Sequence, residues 1–541
     1  MNIIRRISIV IIFLMCAFVS NVNAAGSQST VSSTPAVTPS SNFNPTGFPI
    51  VKDKITLTAF AGTNILQKNY DQLWAITEYE KNSNIHVEWT IGPTTNFAES
   101  RNLLMSTGDY PDMFYRCSFP INDIFNYGSK GIFIPLNDLI NQYGVGIKDM
   151  MNKVPDLAKS MYMPDGKIYS LPCKYHNDMS TSNYYWINKK WLDNLGLKIP
   201  TNLNEFETVL TAFKNEDANR NGDPNDEIPY SDRNSGNSIF QAFASAFGMG
   251  ALGMPGRNNY YDIGDDGKLY FTPYSDNFKQ MITWLAGLYS KGLLDPEMFT
   301  ATQAAFNAKA VQGIVGAFFF NNVSDMLGNV YQPDYVSCPP LSGNYGPPVH
   351  NYITASHDLG AFEISNRNKY PAETLRWVDY FYTYEGALMT SLGQEGVTYI
   401  KLPDGSYQYT DLITHNPDGL ALAQAIGQYA ITFTGGANPV YCPDEFENTR
   451  LSAPTFAAWE TVKPYLKIVA VPQLSFTLDE LNELTPISSD LISYLNEARV
   501  QFVTGRRPLS QWDAFVQGAK NMGADRYLSL YQASFNRYME K

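Results

Sequence analysis

The chain has 541 residues, more than one hydrophobic core usually spans, so two lobes or domains are expected. With 44% apolar and 14% aromatic residues it has a globular composition, which excludes a disordered chain or a membrane bundle. A formal charge of −13 argues against nucleic acid and anionic lipid as partners.

The start, MNIIRRISIVIIFLMCAFVSNVNAAG, reads as a secretory signal over residues 1–24. Arg5 and Arg6 form its basic end, Ile7 to Val19 its apolar stretch, and Val22-Asn23-Ala24 its cleavage site. That stretch is too short to span a bilayer, so export across the cytoplasmic membrane to the cell envelope is expected. Cys16 raises lipid attachment, but Met15 stands where a small residue is wanted, and a cleaved signal is the preferred reading. Residues 25–50 are a Ser/Thr/Pro-rich tether with nothing to bury.

Order is expected from Val51. KITLTAF alternates like a strand, and NIHVEW repeats the pattern with Ile85, Val87 and Trp89 on one face. The helical spacing of ILQKNYDQLWAITEYEKNS between them makes an α/β lobe. Cys117, Cys173, Cys338 and Cys442 form no CxxC and permit three pairings without specifying one, so a disulfide and buried thiols both stay open. NLNEFETVLTAFKNED places Leu203, Phe206, Val209, Leu210 and Phe213 on one helical face, with Asn202 and Glu205 as a capping box. GDDG at 264–267 reads as a hairpin turn. The last sixty residues are helical, with stripes Leu491/Leu495/Ala498/Phe502, Trp512/Phe515/Ala519/Met522 and Leu528/Tyr531/Phe535/Tyr538 punctuated by Gly505 and Gly523.

DANRNGDPNDEIPY packs Asp217, Asn219, Asn221, Asp223, Asp226 and Glu227 into eleven residues. Alternate oxygen donors followed by Gly222 match the first half of an EF-hand loop, and hard oxygen donors without His or Cys suit calcium. Ile228 stands where an EF-hand places its closing Glu, and Pro229 blocks the following helix, so an ordinary EF-hand is excluded. A bare Asx turn would not need six donors, and calcium is the preferred reading.

STGDYPDMF, GIFIPLNDLI, KIYSLP, NKKWLDNLGLKIPTNLNEFETVLTAFK, LYSKGLLDPEMF, LRWVDYFYTYEG, GQEGVTY and FVTGRRPLSQWDAFVQGAKNMGADRY follow one another from about residue 52 to the C-terminus. In that order the set resembles extracellular solute-binding proteins of carbohydrate ABC importers, in particular the large Gram-positive and alginate-binding members. The resemblance implies an α/β, two-lobe periplasmic-binding-protein-like fold with a hinge and extra C-terminal helices. The N-lobe would be 51–172 plus about 350–435, and the C-lobe 177–345 plus about 436–541, with crossings near Pro172 to Asn183 and His350 to Gly360. It also implies a structural calcium in the 217–227 loop, a carbohydrate ligand, permease subunits as partners, and a monomer that is not an enzyme.

Carried onto this chain, the family's cleft loops point to Thr63 and Asn64, Tyr115 and Arg116, Lys174, Tyr175 and His176, Phe319, Phe320 and Asn321, and Tyr352. Aromatic platforms for ring faces and polar groups for hydroxyls are what sugar recognition needs. Trp284, Trp377 and Trp512 are read as core, and His176, His350 and His357, lacking an HxxxH or HExxH spacing, as core or hydrogen-bonding residues rather than zinc ligands. The competing classes are a secreted carbohydrate-active enzyme using two carboxylates and a sugar-presenting subunit for a sensor kinase.

Overall fold

The alternation that opens the ordered chain becomes strand β1 (Ile55–Ala61), with Ile55, Leu57 and Ala59 buried and Thr56 and Thr58 exposed. The computed structural model describes residues 40–541 apart from 65, 176–178, 180–181, 234–235, 251–258, 322, 324–326, 328–331, 353–356, 421, 432–437 and 469–472. The signal, Cys16, residues 25–39 of the tether and His176 therefore lie outside the described residues, while the end of the expected tether is packed after all, Phe43 and Ile50 being buried in the first core. β2 (Ile85–Ile91) pairs in parallel with β1, and the helix Trp74–Ser83 supplies the crossover that a parallel pair requires. That helix is shorter than the sequence spacing suggests, because Tyr70–Gln72 first forms a separate turn.

β3 (Met113–Tyr115) lies parallel to β1, while β12 (His357–Ile364) runs antiparallel between β3 and β4 (Leu171–Lys174). The first sheet therefore has the order β2-β1-β3-β12-β4. A second sheet has the order β10-β5-β9-β6, built from β5 (Tyr184–Asn188), β6 (Ile228–Tyr230), β9 (Val315–Phe320) and β10 (Tyr335–Ser337). Three small sheets complete the set. β7 (Tyr261–Ile263) and β8 (Leu269–Phe271) make the hairpin expected at 264–267, and β13 (Tyr399–Lys401) pairs with β14 (Tyr407–Tyr409). β11 (His350–Tyr352) runs parallel to β15 (Leu466–Ile468).

The chain leaves the first sheet at Lys174, enters the second at Tyr184, leaves it after Ser337, and is back in the first at His357. A third passage was not foreseen in this place. Lys174 N donates to Val440 O (2.8 Å) and Cys442 N to Lys174 O (2.7 Å), so 440–442 extend the edge at β4. Val440, Cys442 and Phe446 pack with Tyr399 and Ala361, and only the helix Ala453–Val462 rejoins the second sheet, where Ala458 and Val462 meet Trp186 and Phe318. The backbone ladder thus keeps the segment after 436 with the first sheet. Cys117, Cys173, Cys338 and Cys442 are all free and buried, which decides between the thiol and disulfide readings.

Asn202 caps Leu203–Asn215 as expected, its Oδ1 accepting from Glu205 N (2.9 Å), while the Glu205 carboxylate accepts from Thr201 N (2.8 Å). Three helices close the chain, Leu478–Val503, Trp512–Asn521 and Ala524–Met539, and none of the described helices is long and apolar enough to cross a membrane. Leu491, Leu495, Ala498 and Phe502 form the first buried stripe, and Trp512, Phe515 and Ala519 the second. Met522 is 40% exposed, because the helix ends at Asn521 and Gly523, at φ +90°, turns the chain immediately afterwards. The third stripe is turned by a residue, with Tyr527 and Leu530 buried beside Phe535 and Tyr538, and Leu528 and Tyr531 half-buried. Phe502 sits 5.0 Å from the Trp512 ring and 5.4 Å from Phe515. Phe502→Ala is expected to cost about 3–5 kcal/mol by leaving a cavity, whereas Met522→Ala should stay within about 0.5 kcal/mol; urea unfolding of the two variants measures both.

Candidate functional site

β1, β3 and β4 point the same way in the first sheet, so Thr63–Asn64, Tyr115–Arg116 and Lys174–Tyr175 follow strand ends on one edge of it. In the second sheet β6 and β9 are parallel and β5 starts where they end, so Arg233, Phe320, Asn321 and Tyr184 gather at one edge. Carboxyl ends of strands, where the chain crosses to a second sheet, are where open α/β architectures bind ligands.

Within this frame the candidates differ sharply in exposure. Asn64 is half-buried, and its Oδ1 accepts from Leu66 N (2.8 Å) in a tight turn. Arg116, at φ +56°, is 2% exposed and donates from Nη1 to Gln67 Oε1 (3.1 Å). Lys174 is buried with its Nζ 3.4 Å from Asp444 Oδ1. Tyr115 is a core ring, 1% exposed and enclosed by Tyr70, Trp89, Trp377 and Phe381 at centroid distances of 5.3–6.4 Å. No face of it is left for a pyranose, which corrects its reading as a platform. Tyr175 is likewise buried, in the cluster with Tyr409, Cys442 and Phe446.

Phe319 and Phe320 point to opposite faces of β9. Phe319 packs on Tyr185 at 4.9 Å, while Phe320 belongs to the cluster of Tyr184 and Trp186. The Arg233 guanidinium lies 3.7 Å over the Phe320 ring and donates to Gln303 Oε1 (2.8 Å). A cation–π contact this close fixes both side chains at the strand edge. Asn321 is half-buried beside them; Tyr352 is placed on β11 by its backbone, its side chain lying outside the described residues. Sequence reasoning missed Arg233 and Tyr184, since neither sits in a distinctive motif. His350 is buried and stacked on Tyr184 at 6.0 Å, and burial pushes it down to about 4, so it is a neutral core histidine.

Next to Arg233, Asp232 is 1% exposed and accepts from Arg233 N and Ile239 N, both at 2.7 Å. Burial pushes its carboxyl up to about 7.

In the 217–227 loop, Asp217 accepts from Asn221 N (3.1 Å) and Gly222 N (3.0 Å), the latter at φ +94°, a conformation glycine adopts without strain. The Asp226 carboxylate receives the side-chain amides of Asn219 (2.9 Å) and Asn221 (2.6 Å). Glu227 is buried, with Oε1 accepting from Asn219 N (3.3 Å) and Oε2 buried without a partner among the described residues. Asp223 is exposed and accepts from Asn225 N (3.1 Å), outside this group, so it departs from the expected six-donor set. Among the described residues no three His, Cys, Asp or Glu side chains gather closely enough to hold a metal by themselves. The two asparagines are therefore needed, and turning their amides would present oxygens where nitrogens now meet Asp226. An orphaned buried carboxylate oxygen and a set of hard donors fit a cation such as calcium.

The chain belongs to the bacterial extracellular solute-binding proteins, whose family model matches residues 63–388. It is 28% identical over 544 residues to the fructooligosaccharide ABC transporter substrate-binding protein FusA of Streptococcus pneumoniae, covering 97% of each chain. The solved structure of an EF-hand mutant of that S. pneumoniae protein, in complex with fructo-nystose, aligns with a TM-score of 0.72 at 26% identity, over 90% of this chain and 100% of that one. A human-milk-oligosaccharide-binding solute-binding protein of Bifidobacterium longum infantis aligns at TM-score 0.77 and 20% identity, again over 90% and 100%, and shares the two-lobe fold.

Asp232 makes the stability of the fold depend on pH. Folded Asp232 holds its proton up to about 7 against an ordinary 3.8, so between those values the folded state binds more protons than the unfolded one. Stability therefore falls as pH rises through that window and levels off above it. Asp232→Asn, neutral throughout, should lack this part of the fall, so the wild-type advantage over the variant shrinks from pH 4 to 7 in denaturant titrations; a constant difference would refute the assignment.

Proposed function

Starting from that membership, we propose that the chain is the extracellular substrate-binding component of an ABC transporter. It captures an oligosaccharide between its two lobes and delivers it to the permease, as a monomer and without catalysis. The observation that carries this reading is the near full-length similarity to a fructooligosaccharide-binding protein, 97% of each chain. In this reading the lobes centre on the two sheets, and the half-buried Asn64, Arg233 and Asn321 supply hydrogen-bonding groups at the strand ends. Binding energy spent on holding the lobes together makes the closed state the one that reports a loaded site.

Calorimetry with kestose and nystose, and with a galacturonate trimer as the charged comparison, tests the reading. Saturable binding with a stoichiometry of one, a smaller radius of gyration in solution scattering, and no release of reducing sugar are expected. Reducing sugar appearing with time would identify an enzyme instead, and binding without contraction would rule out closure.

In the same reading Asp217, Asn219, Asn221, Asp226 and Glu227 hold a calcium ion, and the EF-hand mutant made of the S. pneumoniae relative supports looking for one here. When bound, the ion supplies a fixed positive charge that ties together a loop otherwise held by amide–carboxylate hydrogen bonds. At a hundred times its dissociation constant a ligand adds about 2.7 kcal/mol to stability. Chelation should accordingly lower Tm by several degrees, calcium should restore it better than magnesium, and Asp226→Ala should abolish the response. A melting curve indifferent to chelator, in protein shown by metal analysis to have been calcium-loaded, would exclude a stabilising ion.

A further inference from the structure

Trp284 was expected in the core, and only one side of it is. Its indole meets Phe243 edge-on at 4.8 Å, yet the residue is half-buried on the helix Asp276–Ser290 and lines a pocket of about 600 Å³. The pocket is bounded by the start of the helix Leu203–Asn215, by Gln280 and Trp284, and by residues 342–345, which follow β10. Every lining residue falls between 202 and 345, so none comes from the first sheet.

Its floor is aromatic. Phe247 lies 6.0 Å from Trp284 and 5.3 Å from Tyr345, their planes inclined by 51° and 37°. Its rim is made of amides, and those of Asn204, Gln280 and Asn344 make no hydrogen bond to the described protein. None of the eleven lining residues among those described is charged, in a chain that is 17% charged. The walls are also set in advance. Leu203 N donates to Ser342 O (3.1 Å) and Ser342 N to Thr201 O (2.9 Å), and a Cβ at Gly343 would fall 1.9 Å from Ala246 O. A site held this way needs little ordering when a ligand arrives.

We propose that this pocket is a second saccharide site, taking a neutral oligosaccharide on the second lobe alone. Rings inclined to one another offer apolar faces to the C–H surface of a sugar, and unpaired amides both donate to and accept from neighbouring hydroxyls. The lack of any cation leaves nothing to compensate a carboxylate or phosphate, so uronates and sugar phosphates are disfavoured. Because one lobe builds it, occupancy does not require closure. The site goes beyond the interlobe reading and uses none of its residues.

The test is fluorine NMR of the full mature chain labelled with fluorotryptophan, the Trp284 signal being identified from Trp284→Phe. Kestose, maltotriose and cellotriose are titrated, with a galacturonate trimer as the charged probe. At least one neutral trisaccharide should move the Trp284 signal saturably while the uronate does not. The exposed double variant Gln280→Ala/Asn344→Ala, which spares the packed rings, should weaken that binding about tenfold, the equivalent of about 1.4 kcal/mol. Arg233→Ala should leave it unchanged. A Trp284 signal unmoved by every neutral sugar, or moved equally in the double variant, overturns the proposal. Failure of the interlobe reading looks different: Trp284 still responds, but no binding sensitive to Arg233→Ala is found.

Discussion

Strand β12 enters the first sheet antiparallel between β3 and β4, so its ladder closes on both sides, with Phe362 opposite both Tyr115 and Leu171. β4 is the strand from which the chain departs for the second sheet, and β12 is the one by which it returns. Their pairing, His357 with Lys174 and Asp358 with Cys173, therefore sets two crossings side by side. The third passage joins the same place, because 440–442 hydrogen-bond to Lys174. Adjacent crossings let two bodies rotate about one line while both sheets stay intact, the condition for hinge closure. The ladder is reinforced by a buried polar contact, in which Ser170 Oγ donates to Glu363 Oε1 at 2.7 Å, and burial raises the Glu363 carboxyl well above its ordinary range.

The aromatic excess divides by location. Around β3 the rings of Tyr70, Trp89, Tyr115, Trp377 and Phe381 pack on one another and form core. At the edge of the second sheet Phe320 is covered by Arg233, whereas on the second lobe Trp284 and Tyr345 stay half-buried. The C-terminal helices are tied to this region as well. Arg499 is fully buried, stacked 4.2 Å from Phe240 on the helix that Asp232 helps to start, and Asp232 lies within its electrostatic reach. The last sixty residues thus brace the element that carries Arg233.

Much of the fold was legible in the sequence. Strand alternation in KITLTAF, the apolar face of Leu203–Asn215, the Asn202 cap and the hairpin at 264–267 are all set by residues within a few positions of each other. The acidic loop was legible for the same reason, since donors two residues apart fold back on one turn. Its one departure is Asp223, whose exposed side chain makes a separate Asx turn to Asn225.

What the sequence by itself determined, then, was the identity of the elements and the tight turn of the 217–227 loop, because periods of two and 3.6 and short donor spacings act locally. Only the tertiary structure decided which rings are covered. Tyr115 follows a strand end just as Phe320 does, yet the indole of Trp377, from a helix far along the chain, closes over it. Trp284 has the helical spacing of a core residue, yet it is half-buried and lines a pocket. The exposure of a ring depends on neighbours brought together from distant parts of the chain, and no local pattern encodes that.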